Sequence, residues 1–299
     1  LKLLGLSRKR RSDLFWGYVM VAPSIIGLII LNIYPFFYTL YLSFTESDGF
    51  GTPKWIGMEN YVRLLEDPAM TRSIINTLYY TVLAVPLSVF LSLIIANLIN
   101  TKIKGSHFYK AIYFLPTVIA PAAVAMIWSW MFNGEYGIIN YILSIFGIDQ
   151  VSWLTNSKFT LPSLAIVTIW SSLGYNLIIL ISGLRSISAT YYEAAEIDGA
   201  SGFVQFFKIT IPLVSPTLFF VTVTSLMTAL KQFDLLYIMV GETSSAMEKS
   251  QTMLYLFYKY AYIINEKGYA SSIVLVAFAV IMLFTAIQFR LQKKWVHYE

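Results

Sequence analysis

Residues 190 to 212 read TYYEAAEIDGASGFVQFFKITIP and place Glu193, Glu196 and Asp198 within six positions, flanked by apolar runs long enough to cross a bilayer. Carboxylates this close together belong in water or against a partner protein, because an acid at membrane depth is costly. Thr190 and Glu193 have capping-box spacing, so the spacing predicts a helix starting at Thr190. Ala194 and Ala195 leave one side of that helix smooth enough for close approach. Gly199 can take positive φ and end it. Ser201 is placed to cap a second helix, whose Phe203, Phe206 and Phe207 fall at helical spacing along the membrane boundary, and Pro212 marks re-entry into the bilayer. The expected product is a helix, a bend and a helix that present acids to solvent, which is docking chemistry and not catalysis. No catalytic residue is identified, because GxxxxGK[ST], HExxH and GxSxG patterns are all absent. With no cysteine and only His107 and His297, no metal site is expected either.

A second set of polar and aromatic residues lies in or beside apolar runs. Asn76, Asn97, Gln232 and Asp234 can hydrogen-bond between helices or line a pathway. Asp234 has Lys231 one turn before it, so a local ion pair at the outer interface competes with a transport role. Trp128 and Trp130 can anchor at the interface or stack on a sugar ring. Tyr237 joins Asn76, Trp128, Trp130, Gln232 and Asp234 as a candidate for the solute path.

These residues need a membrane scaffold. The chain has 299 residues, 57% hydrophobic and 12% charged, with a mean hydropathy of +0.66, where soluble domains carry about a quarter charged residues. Six apolar runs, roughly 15–44, 73–99, 108–132, 160–184, 209–230 and 270–290, are each long enough to span. The reading is an all-α, polytopic domain of six transmembrane helices over 15–291, with a basic N-terminal tail (1–14), a loop at 185–208 and a C-terminal tail (292–299). Prolines 23, 35, 86, 116, 121, 212 and 216 would start or kink helices in a packed bundle. The basic run Arg8, Lys9, Arg10, Arg11 could open a signal peptide, but the next apolar run is too long and lacks a small-residue cleavage pattern, so it reads as a retained first helix.

Charge sets the orientation. With the N-terminus inside, the cytoplasmic pieces hold thirteen of the twenty-one Lys and Arg residues, including Lys2, Lys102, Lys104, Arg185, Lys208, Lys293 and Lys294, and eleven of the sixteen acids lie outside. Both termini and 185–208 are thereby expected in the cytoplasm. The net charge of +5 fits membrane flanks and lipid headgroups, not nucleic acid. Outside, Tyr61, Leu64 and Leu65 have helical spacing, and LYLFYKYAY reads as an interfacial tyrosine belt or a sugar-facing surface.

Glu193-Ala194-Ala195, Gly199, Ile209, Ile211 and Pro212 match a pattern of Glu-Ala-Ala, three residues, Gly, nine residues, Ile, one residue, Leu, Pro. This resembles the signature of bacterial and archaeal ABC importer permeases, with Ile211 the one, conservative, departure. YPFFYTLYLSF, GMENYVRLLEDP, NTLYYT, QFDLLYIM, GYASS and the terminal Tyr298-Glu299 extend the likeness to carbohydrate-uptake permeases of the maltose, glycerol-phosphate and multiple-sugar type, most similar to the first permease subunit. The resemblance implies a type I importer permease fold in a bacterial or archaeal inner membrane and a coupling helix over 190–207. In that helix Glu193, Ala194, Ala195, Glu196, Asp198 and Gly199 would meet an ATP-binding subunit. It also implies a second homologous permease, two ATPase subunits that use ATP and Mg, no cofactor on this chain, and an extracytoplasmic solute-binding protein docking on 45–72, 133–158 and 232–268. The alternatives are an ion-coupled secondary transporter using Asp234, and an importer permease for a non-sugar solute.

Overall fold

The computed structural model describes residues 8–100, 105–242 and 244–296. Lys2, Lys102, Lys104, His297, Tyr298 and Glu299, to which expectations were attached above, lie outside the described residues. The chain is helical apart from a two-residue ladder, Thr45–Glu46 antiparallel to Lys54–Trp55. Among the described residues five helical stretches are long and apolar enough to span a membrane: Ser12–Leu42, Pro68–Asn100, Ser157–Ser186, Gly202–Leu230 and Lys267–Trp295.

The third apolar run, expected as one segment over 108–132, is a bent pair instead. Ser106–Val118 and Pro121–Met131 meet at a break where the axes turn by 98°. The cause is local: a proline pushes its predecessor out of the α region, and Ala120 before Pro121 is extended at φ −56°, ψ 133°. Pro35 and Pro212 are accommodated differently. Each sits second in an α-helix that follows a π-helical turn, Ile29–Ile33 and Phe206–Thr210, where Tyr34 N–H reaches Ile29 O and Ile211 N–H reaches Phe206 O. The wider turn makes room for a ring that cannot donate, so both helices run on. The second helix of the 190–212 segment, expected along the membrane boundary with Pro212 marking re-entry into the bilayer, instead forms the first turns of the continuous Gly202–Leu230 stretch.

Two compact units are resolved, residues 1–66 with 260–275, and residues 67–259 with 276–299. In the first, the Glu59–Glu66 helix is tied to the preceding chain by Asn60, buried, whose Nδ2 donates to Ser43 O and Thr45 O at 2.9 Å each. Tyr61 Oη donates to Ser43 Oγ at 2.8 Å. Leu64 is buried and Leu65 points outward, so only one of the two leucines expected on the helical face packs. Arg63 is hydrogen-bonded to Glu266 and lies 4.0 Å over the Tyr269 ring and 5.6 Å over Tyr260. Burial pulls the Arg63 guanidinium down, but the Glu266 hydrogen bond and charge more than offset it and hold it above the usual arginine value. Asn60→Ala leaves two buried carbonyls without their donor and is expected to destabilise this unit by about 2–3 kcal/mol, read as a lower thermal midpoint of the purified protein.

In the second unit Pro68–Asn100 packs along Ser157–Ser186, and the Gly202–Leu230 stretch lies against both. Tyr80, Leu164, Val167, Leu177, Leu180, Val221 and Leu236 form the centre of its core. The LYLFYKYAY stretch begins in this unit and departs from an interfacial belt: Tyr255 is buried, stacked 6.5 Å from Phe233, because the Met253–Tyr258 helix turns it inward.

Candidate functional site

The acidic segment is a closed local structure. Its helix, Ala189–Ile197, is capped by Ser188, whose Oγ accepts from Thr190 N–H, and not by Thr190 as the capping-box spacing suggested. Ser188 is extended at ψ 136° while Thr190 is already helical, so the start of the helix shifts two residues back. At the other end Gly199 has φ +75°, Gly199 N–H bonds to Glu196 O at 3.0 Å and Ala200 N–H to Ala195 O at 2.9 Å. That pair is a Schellman stop, which needs the left-handed residue that glycine supplies. Ser201 Oγ accepts from Val204 N–H and starts the next helix. Glu193, Ala194, Glu196, Asp198 and Gly199 are exposed and Ala195 is half-buried. Tyr192 anchors the helix from its inner side, its hydroxyl 3.0 Å from Thr210 Oγ1 on the π turn. Phe203 and Phe207 pack ring to ring at 4.7 Å and remain largely exposed, whereas Phe206 turns against the core. The result is a preformed acidic and aromatic knob.

The second feature is a cavity of about 540 Å³ inside the same unit. Its wall combines apolar groups (Ala84, Val85, Pro116, Ile119, Val124) with a set of hydroxyls on four helices: Ser88, Thr117, Thr168, Ser171, Ser172, Tyr175, Thr224, Ser225 and Thr228. Most of those hydroxyl protons are already engaged. Ser88 donates to Val85 O, Ser171 to Val167 O, Ser172 to Ile169 O, Thr224 to Phe220 O and Thr228 to Thr224 O, at 2.8–3.0 Å. What such a hydroxyl still offers is a lone pair, so this part of the wall accepts hydrogen bonds. Tyr80 Oη donates to Gln232 Oε1 at 3.1 Å, and with its one proton so used it receives the proton of the neighbouring Thr168 hydroxyl. That relay fixes the Gln232 carboxamide at the cavity wall, and Thr252 Oγ1 holds its backbone carbonyl at 2.8 Å.

Of the six residues considered for a solute path, Gln232 and Asp234 line this cavity and four lie elsewhere. Asn76 donates to Lys249 O and Gln251 O at 2.8 and 3.0 Å, holding the segment after the Ser245–Ser250 helix. Trp128 packs between Phe132 and Trp170 at 5.3 and 5.6 Å. Trp130 lines a separate depression with Tyr136 and Tyr141. Tyr237 stacks on Phe233 at 5.4 Å and shares a 3.3 Å hydrogen bond with the Tyr258 hydroxyl, which together with the Glu242 charge pushes its phenol up to about 12. Lys231 and Asp234 both line the cavity but form no ion pair, since the helix ends at Leu230 and restarts at Asp234 between them. The cavity hydroxyls escaped sequence reading, though a signal existed: polar residues 168, 171, 172, 175 and 176, then 224, 225 and 228, recur every three to four positions on apolar helices. Among the described residues no cluster of His, Asp and Glu could hold a metal ion.

The family described as binding-protein-dependent transport system inner membrane component matches residues 68–297. The chain is 35% identical to the probable ABC transporter permease protein YesP of Bacillus subtilis, over 98% of this chain and 95% of that protein. It is 30% identical to the trehalose/maltose transport system permease protein MalF of Thermococcus litoralis, over 91% of each. The fold is that of a chain in the crystal structure of a bacterial ABC transporter involved in the import of the acidic polysaccharide alginate, with a TM-score of 0.81 at 23% identity, covering 96% of this chain and 98% of that one.

Proposed function

Because the chain belongs to the family of binding-protein-dependent transport system inner membrane components, the permeases of ABC importers, we propose that it moves an oligosaccharide or related glycan through the hydroxyl-lined cavity. As a multi-pass inner membrane permease of the sugar, glycerol-phosphate or oligosaccharide type it leaves ATP hydrolysis to a separate subunit. The ion-coupled alternative falls with that assignment. The observation that carries the glycan reading is the acceptor-rich wall: Ser88, Ser171, Ser172, Thr224 and Thr228 have given their protons to their own helices. Such a wall suits a solute that brings many donors and apolar ring faces, which is what a saccharide is. The trehalose/maltose relative agrees with it.

Both termini and residues 185–208 face the cytoplasm in this reading, as the distribution of basic residues favours. The knob at 188–207 then meets an ATPase subunit, with Glu193 as its principal polar contact, and a second permease completes the pathway. A loaded binding protein docks on the opposite side, at 45–72, 133–158 and 232–268. Ligand and ATPase states are coupled reciprocally, so a loaded binding protein favours the closed ATPase dimer.

The test is ATP hydrolysis by the reconstituted complex. Addition of binding protein loaded with an oligosaccharide is expected to raise the rate several-fold over unloaded binding protein. A panel of saccharides without effect, with stimulation by an amino acid or peptide, would sink the glycan reading while leaving the family intact.

A further inference from the structure

The Ile138–Ile145 helix, which lies between the bent pair and the Ser157–Ser186 span, turns its apolar side outward. Ile138, Tyr141, Ile142 and Ile145 recur at the three- and four-residue spacing of one helical face and are all exposed, Ile145 at 67%, and Phe146 and Ile148 extend the patch. No charged residue occurs between Glu135 and Asp149. The opposite side of the helix is fixed. Asn140 is buried, donates through Nδ2 to Gly134 O and Val151 O at 2.8 and 3.0 Å, and accepts at Oδ1 from Trp153 Nε1–H at 2.9 Å. Ile139 packs against the core. A helix pinned in this way cannot roll its apolar face inward, and a contiguous face of this kind is covered by something other than water.

Depth and continuity identify the cover. Trp153, which Asn140 holds, packs 5.9 Å from Phe159 in the first turn of the Ser157–Ser186 span, so the helix lies at the level where that span enters the bilayer. Trp130, in the last turn of the apolar Pro121–Met131 helix, shares one depression with Ile138 and Tyr141, so the patch continues a surface that already belongs to the membrane. The face also lacks the polar groups with which a protein partner would fix its register. Ser144, beside it, donates to Tyr141 O at 2.7 Å, which leaves the Tyr141 hydroxyl as the one side-chain donor there. We propose that the Ile138–Ile145 helix lies in the bilayer interface, its isoleucines at the headgroup–acyl boundary and the Tyr141 hydroxyl among the headgroups, and so moors the loop between two spans to lipid. Of the 133–158 segment assigned above to the binding protein, this leaves the polar margin, Glu135, Asp149 and Gln150. The mooring needs only the membrane setting of the family and not that docking.

The chain has no cysteine, so nitroxide labels on single thiols in the variants I142C, I145C and Q150C report depth in the assembled transporter in phosphatidylcholine nanodiscs, with the cysteine-free parent chain as background. Collision rates are measured with oxygen, which concentrates in lipid, and with a water-soluble nickel chelate. At 142 and 145 the oxygen-to-nickel ratio is expected to exceed that at 150 about tenfold, as for groups about 5–10 Å inside the headgroup–acyl boundary. A ratio at 142 and 145 no higher than at 150 overturns the proposal. Low collision rates with both reagents at 142 and 145 also overturn it, since they report a face covered by protein. Loaded binding protein should leave 142 and 145 unchanged, and a loss of oxygen collisions there on its addition is a third overturning result. Oxygen-favoured ratios at 142 and 145, with no effect of binding protein at 150, support the mooring and count against docking on this segment alone.

Discussion

Glu193→Lys is expected to weaken ATPase association about 30- to 1000-fold, the 2–4 kcal/mol that follows from reversing one member of a desolvated charge pair, and to abolish solute-driven uptake. Membrane insertion and thermal stability should change little. Glu193 is exposed on a helix with no buried residue, and its cap, its Schellman stop and the Tyr192 anchor do not involve the Glu193 side chain. Glu193→Gln keeps the shape and removes only charge, so it should fall between the two. Gly199→Val attacks the same knob through the backbone: φ +75° is a region that β-branched residues avoid, at a cost of about 1–3 kcal/mol. Co-purification of ATPase subunits with each variant, beside uptake, is the measurement. Normal recovery and normal uptake with both Glu193→Lys and Gly199→Val would remove this knob from the coupling path.

Gly174→Leu is the second large effect. A Cβ at 174 would stand 2.4 Å from Tyr113 O and 2.8 Å from Phe114 Cα, so the obstacle is largely backbone of the Ser106–Val118 helix and cannot rotate away. Separating the helices also opens the cavity wall, in which Pro116 and Thr117 face Thr168, Ser171 and Ser172. The expected cost is about 3 kcal/mol or more, the upper part of the range for overpacked cores. Thermal unfolding in detergent should show a lowered midpoint and uptake should be lost, with Gly174→Ala intermediate. A leucine variant with a parental midpoint would show that the two helices do not approach as described.

The parts of the fold that were legible in the sequence are those fixed by local chemistry. Apolar runs located the spans, Gly199 announced its left-handed turn, and Ser201 its cap. Errors arose where two local solutions compete. Ser188 and Thr190 are both good caps, and Ser188 takes the role because its own backbone is extended while Thr190 is already helical. Proline was ambiguous in the same way: Pro121 breaks its segment by 98°, whereas Pro212 is absorbed by a π turn. The placement of Trp128, Asn76 and Tyr237 was decided by tertiary neighbours, Trp170, Lys249 and Tyr258, that lie far away in sequence. The knob was readable because its residues are contiguous, whereas the cavity is assembled from several helices and shows in sequence only as spaced hydroxyls.

The continuity of Gly202–Leu230 has a mechanical meaning. One end of this rod carries the Ser201 cap of the acidic knob and the other carries Thr224, Ser225 and Thr228 of the cavity wall. At 1.5 Å per residue the distance from Gly202 to Thr228 is about 39 Å. The π turn at Phe206–Thr210 lies close to the capped end and divides the rod into a short and a long arm. A tilt of the whole rod by ~10° about the middle of that turn sweeps Thr228 through ~5 Å, about the width of one sugar ring, for a displacement of ~1.6 Å at Gly202.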